Sequence, residues 1–109
     1  MLNLDQTVSQ AEVDLRLATT EARSELARDH AISAAATDRL LRAQARYAAL
    51  SEIDLTAVEY GEDEARTAAR AIAFAPQRDT AAEDGASIIE ALADRYAREA
   101  AHEALKALG

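Results

Sequence analysis

The chain has 109 residues, among them 29 alanines, three glycines and one proline, and it contains no cysteine. Its 20 acidic and 12 basic side chains give a formal net charge of −8. The absence of cysteine excludes disulfides, thiol catalysis and cysteine-ligated metal sites, and the even spread of acids among arginines argues against direct nucleic-acid binding. Because alanine is the strongest helix former, the composition predicts an all-α fold. The length predicts that residues 1–109 form a single domain.

The first predicted helix follows an apolar stripe that begins at Leu4 and recurs every three or four residues. Either Asn3 or Asp5 has the side chain of a helix N-cap. The stripe continues through residues 32–50 without glycine or proline. Two interpretations are open here: one long helix to about residue 52, or a helical hairpin that turns near residues 29–38, for which Thr37-Asp38 is the best local start signal.

The middle of the chain carries the first glycine. Thr56 and Glu59 match a capping box. Gly61 indicates a helix end, and the three acids of Glu62–Glu64 favour a new helix start because they complement the positive N-terminal end. Pro76 is expected to end that helix.

Residues 77–80 are predicted to form a loop, and a sub-boundary of the domain is placed at 76–80. Thr80 and Glu83 match another capping box, from which a last helix is predicted to run to about Leu108. The expected architecture is an antiparallel helical bundle, or a long helical hairpin, of three to four helices with alanine-rich packing.

The predicted core is poor in large side chains. Leu, Ile, Val and Phe together supply 21 residues, and alanine buries little apolar area. Two solutions are open: helices can pack closely through alanine faces, or subunits can share a core. Of these, we expect some oligomerisation. The residues expected to pack, within the chain or between chains, are Leu15, Leu26, Ile32, Leu40, Tyr47, Leu50, Ile72, Ile88, Leu92 and Tyr96.

The last helix contains the most specific local motif, Glu99-Ala-Ala-His102. It resembles the Glu-x-x-His half-motif of ferritin-like di-iron proteins, including the small encapsulated ferritins that dimerise as helical hairpins. The resemblance implies a metal site at Glu99 and His102, with Glu103 on the same face, shared across a subunit interface. The family pattern also needs a glutamate on a facing helix, which this sequence does not identify.

A second short resemblance begins at Tyr60. The run Tyr60-Gly-Glu-Asp-Glu64 is similar to the Tyr-x-x-x-Asp/Glu pattern of small helical-hairpin proteins exported by specialised secretion systems. The central Trp-x-Gly of that family is missing, because the chain has no tryptophan.

The leading functional hypothesis is a non-enzymatic helical assembly protein without a cofactor, whose partner is a protein, chiefly another copy of itself. One alternative is a small acidic inhibitor of a nucleic-acid-handling protein, with Glu62, Asp63 and Glu64 as the acidic contact. The other is the di-iron protein described above. No apolar run approaches the roughly 20 residues of a membrane span, and the N-terminus lacks the features of a signal peptide. The expected location is cytoplasmic or virion-associated.

Overall fold

The computed structural model describes residues 3–75 and 85–109. Within these residues the chain forms four α-helices, α1 (Leu4–Asp29), α2 (Ala34–Tyr60), α3 (Glu62–Ala73) and α4 (Gly85–Leu108), and no strand. The helices pack against one another as a bundle, which confirms the predicted all-α class. The predicted loop at residues 77–80, the sub-boundary at 76–80 and the capping box of Thr80 and Glu83 lie outside the described residues.

The α1–α2 connection shows that the chain turns rather than continuing as one helix. Asn3 caps the start of α1, because its side chain accepts a hydrogen bond from the Gln6 amide at 2.9 Å. The helix ends at His30, which adopts the left-handed conformation with φ 58° and donates its amide to the Leu26 carbonyl. Ser33 then caps α2 by accepting from the Ala36 amide at 3.1 Å. Because a non-glycine residue adopts the left-handed conformation here, the sequence has no glycine that would indicate the turn.

Two predicted helix starts are wrong for a common reason. Thr37 lies in the first turn of α2, where its hydroxyl donates to the Ser33 carbonyl at 2.9 Å. Thr56 lies inside α2, where its hydroxyl donates to the Glu52 carbonyl at 2.9 Å. A threonine within a helix commonly bonds the carbonyl four residues back, so its presence does not mark a start.

Gly61 both ends α2 and begins α3, as the sequence predicts. Its amide donates to the Ala57 carbonyl at 2.9 Å, and its carbonyl accepts from the Ala65 amide at 3.1 Å. Its backbone has φ 97° and ψ 171°, a conformation nearly restricted to glycine.

We expect Gly61→Ala to lower the free energy of unfolding by about 1–3 kcal/mol, because an L residue is strained at this φ. The loss would come from the backbone alone, since a Cβ at this position meets nothing within 4 Å. Urea denaturation followed by circular dichroism measures it. An unchanged midpoint would show that the junction relaxes to another conformation without cost.

Interhelical contacts fix the directions of the first two helices. Asp14 of α1 contacts Arg46 of α2, whereas Glu21, further along α1, contacts Arg39, which precedes Arg46 in α2. α1 and α2 are therefore antiparallel.

The last helix runs parallel to α2. Tyr96 contacts Asp38, and Glu103 contacts Arg46 seven residues further along α4. α2 is the central helix, because it contacts each of the others, while α1 touches α4 only slightly.

α3 is antiparallel to α4. Arg66, near the start of α3, donates to the Leu108 carbonyl at the end of α4 at 3.0 Å. At the other end, Arg98 donates to the Ala75 carbonyl at 3.4 Å.

The core of the described residues consists chiefly of alanine. Leu50 and Ile53 are the largest side chains that are fully buried there. Leu4 and Tyr96 are the other large buried ones, and every further buried apolar residue is an alanine: Ala11, Ala18, Ala22, Ala36, Ala43, Ala49, Ala65, Ala69, Ala73, Ala100, Ala101 and Ala104. Such short side chains let helices approach closely, which agrees with the predicted alanine-rich packing.

The residues expected to pack fall into three groups. Leu50 and Tyr96 are buried, while Tyr47 and Ile72 lie partly buried against the core. Another three are partly exposed, namely Leu15, Leu40 and Leu92.

For the third group, the prediction of packing is wrong within this chain's own core. Leu26, Ile32 and Ile88 are 50%, 39% and 51% exposed. Leu26 and Ile32 flank the turn at the end of the α1–α2 hairpin, and Ile88 lies in the first turns of α4. Helix ends offer fewer neighbouring side chains than helix centres, so apolar periodicity alone overestimates burial there.

Candidate interaction surface

A groove of about 280 Å³ runs between α1 and α2. Its base contains Ala18 and Ala43, whose methyl groups are too short to fill the space between the two helices. Leu17, on its α1 side, is 65% exposed. The residues that line it are Asp14, Leu17, Ala18 and Glu21 of α1 with Arg39, Arg42, Ala43 and Arg46 of α2.

The two sides of the groove carry opposite charges. Asp14 and Glu21 are two turns apart on α1, so they share one helix face. Arg39, Arg42 and Arg46 are spaced by three and four residues on α2 and share another. Since the helices are antiparallel, Glu21 lies level with Arg39 and Asp14 lies level with Arg46.

Arg46 joins three helices at one end of this groove. Its Nη1 donates to Asp14 Oδ2 at 3.0 Å, while Nε and Nη2 donate to the two Glu103 oxygens at 3.1 and 2.7 Å. The hydrogen bonds to Glu103, opposed in part by burial, raise the pKa of Arg46 above its ordinary value. The guanidinium side chain is 21% exposed and its partners are 43–44% exposed, so each pair contributes about 1 kcal/mol or less.

Arg39 forms a second bidentate pair at the other end. Its Nε donates to Glu21 Oε2 at 3.0 Å, and its Nη2 bonds the other oxygen. This hydrogen bonding lowers the pKa of the Glu21 carboxyl below its ordinary value. The pair lies in solvent and mainly fixes the positions of two charges along the groove.

Arg42 lies between these pairs and has a different partner. Its guanidinium carbon stands 4.7 Å from the centre of the Tyr96 ring. Tyr96 is buried, and its hydroxyl donates to Asp38. That hydrogen bond, followed by burial, raises the pKa of Tyr96. Among the described residues, no carboxylate forms an ion pair with Arg42, whose guanidinium packs on the Tyr96 ring.

A second groove, of about 290 Å³, lies where the N-terminus of α1 meets the C-termini of α2 and α4. Asp5, Asp54 and Glu62 are among its lining residues. Burial and then a hydrogen bond with Asp5 raise the pKa of the Asp54 carboxyl above its ordinary value. Ionisation of both carboxyl groups, those of Asp5 and Asp54, is therefore unfavourable in the folded chain.

We expect Asp54→Asn to raise the free energy of unfolding at pH 7 by roughly 0.5 kcal/mol. The effect is small because water screens the repulsion between the two carboxylates. Because the folded-state pKa is raised, wild-type Asp54 costs stability only above its unfolded pKa, and the cost grows as the pH rises through the folded pKa. The advantage of the variant should thus vanish below about pH 3.9. Urea denaturation between these pH values measures it, with Glu52→Gln on the exposed side of α2 as the control. A pH-independent difference would contradict the coupling.

The three candidate metal ligands do not come together. Glu99 lies 3.6 Å from Arg95, and the His102 ring packs edge-on against Phe74 with centres 5.3 Å apart. Glu103 is engaged by Arg46 of α2, a cation that competes with a metal ion for this carboxylate. Within residues 3–75 and 85–109, no group of three or more His, Asp or Glu side chains is placed to hold a metal ion.

The acidic run lies in the first turn of α3, as predicted. Glu62 and Asp63 lie 3.6 and 2.9 Å from Arg66 of the same helix. Arg66 therefore offsets part of the negative charge. A contact of Glu62, Asp63 and Glu64 with a basic partner stays a prediction.

The arginine side of the groove was not predicted. The spacing of Arg39, Arg42 and Arg46 is visible in the sequence. Interleaved acids and arginines are typical of a solvated helix face, however, so the pattern alone does not indicate a surface. The antiparallel register of α1 turns it into a groove with one charge on each side.

Comparison of the chain with protein-family models, curated proteins and solved structures gives no match. Across the described part of the chain, none of the helices has both the length and the apolar character that crossing a membrane requires.

Proposed function

We propose that this chain is a non-enzymatic assembly protein that packs its helices against further copies of itself, in a homo-oligomer or a larger particle. The observation that carries the proposal is the placement of its large apolar side chains. Only four of the described ones are buried, whereas ten are exposed, the latter being Val13, Leu17, Leu26, Ile32, Leu55, Val58, Tyr60, Phe74, Ile88 and Ile89.

The energetics of burial support association. Each square ångström of apolar surface removed from water contributes about 25 cal/mol of favourable free energy, and a core of alanines gains little of this free energy. Leucine and isoleucine side chains left at the surface contribute it only when a second subunit covers them. Single exposed apolar residues are common in monomers, but here they outnumber the large side chains in the core.

The dependence of stability on protein concentration tests the proposal. An oligomer gains stability by mass action, so its urea midpoint should rise with concentration between about 1 and 100 µM. A midpoint that stays constant over that range would contradict self-assembly. Bovine serum albumin at equal mass concentration controls for crowding.

A further inference from the structure

We propose that the α1–α2 groove is the self-association surface and that a second copy of this chain occupies it, related by a two-fold axis parallel to the two helices. This inference rests on the proposed function, because it names the surface through which the chain assembles. Three observations support it. The two sides of the groove carry opposite charges, the acids of α1 lie at the same heights along the helices as arginines of α2, and a leucine between the two acids is exposed.

The charge pattern selects this arrangement. A two-fold axis parallel to the helices, lying between two facing grooves, places α1 of each copy opposite α2 of the other and preserves height along the axis. Acids then face arginines at each level. A two-fold axis across the helices would stack α1 on α1 instead, and would set acids against acids.

The register gives each contact a definite partner. Asp14 is level with Arg46, and Glu21 is level with Arg39, since the pairs already touch within one copy. Leu17 lies between the two acids, and Arg42 lies between the other two arginines. Leu17 of one copy therefore faces Arg42 and Ala43 of the other, and the contact occurs twice.

The individual side chains fit this contact. Leu17 is 65% exposed, and its neighbouring groove is lined mainly by apolar atoms above Ala18 and Ala43. The aliphatic stem of Arg42 offers an apolar surface to a leucine while its guanidinium packs on the Tyr96 ring. Val13, one turn before Leu17 on α1 and 45% exposed, extends the same apolar surface.

Leu17→Arg is the variant that tests the contact. Within one copy the new cation lies near Asp14 and Glu21, at helical spacings that favour ion pairing, so the fold should be retained. Across the interface it meets Arg42 of the second copy twice. We expect the dimer dissociation constant to rise by about 100-fold in sedimentation velocity. Leu55→Arg is the matched control, because Leu55 is 56% exposed but does not line this groove.

A mixing experiment makes the test specific for the geometry. Arg42→Glu alone should also weaken the homodimer, because an acid then faces Leu17 and the acids of α1. When the Leu17→Arg and Arg42→Glu chains are mixed, one contact pairs Arg with Glu and the other is the wild-type contact. The mixture should therefore form a heterodimer more tightly than either chain forms a homodimer.

The outcomes separate the two proposals. A wild-type monomer at about 100 µM would overturn both. A wild-type oligomer that survives Leu17→Arg would overturn the groove proposal and leave self-assembly standing, whatever the effect of Leu55→Arg. Failure of the two variants to form a heterodimer would overturn the two-fold arrangement. Circular dichroism of each variant confirms that its helices are formed.

Discussion

Truncation of Ile53 to alanine should destabilise this chain more than any other single change considered. Ile53 is fully buried on α2, the central helix, and only Leu50 is a comparably large side chain without exposure among the described residues. Removing three carbons leaves a cavity that neighbouring alanines are too short to fill, and Ile→Ala changes of this kind cost about 2–5 kcal/mol.

Because a small domain is stable by about 5–15 kcal/mol in total, Ile53→Ala should lose a large share of that stability and melt at a lower temperature than the wild-type chain. Thermal denaturation followed by circular dichroism at 222 nm measures this. Val58→Ala is a suitable control, since Val58 lies on the same helix and is 75% exposed. Equal melting temperatures for the two variants would show that Ile53 does not anchor the core.

Overpacking of the α3–α4 contact should be nearly as damaging. Ala69 is fully buried, and Ala100, Ala101 and Ala104 of α4 belong to the same core cluster. Ala69→Leu adds three carbons where alanine side chains set the helix separation. It should push α3 away from α4 and lower the free energy of unfolding by about 1–3 kcal/mol.

The control for this change lies on the same helix. Ala71 is exposed, so Ala71→Leu should leave the stability nearly unchanged. Urea denaturation of the two variants measures the difference. If Ala69→Leu proved as stable as wild type, the α3–α4 contact would be looser than its alanine lining implies.

The helical class and most helix ends could be predicted from local signals. Gly61, the absence of other breakers before Pro76, and the alanine content determine them through backbone preference alone. Local signals did not distinguish the turn at His30 from a continuous helix, because the residue in the left-handed conformation is not glycine. Tertiary packing, rather than local propensity, decides such a break.

The candidate surface was harder to foresee than the fold. Glu99, His102 and Glu103 share one region of α4, and spacing alone made them resemble a metal half-site. The neighbours of His102 and Glu103, which are Phe74 after α3 and Arg46 of α2, come from outside α4. In the same way, the groove exists only because α1 and α2 are antiparallel in one register, which a single sequence does not reveal.

The mass of the particle in solution tests the central claim most directly. Light scattering coupled to gel filtration, at tens of micromolar chain and low salt, should give at least twice the chain mass of 11.7 kDa. The mass should fall on dilution, and raised salt should promote dissociation because charge pairs contribute to the proposed interface. A helical particle of 11.7 kDa under the same conditions would contradict self-assembly.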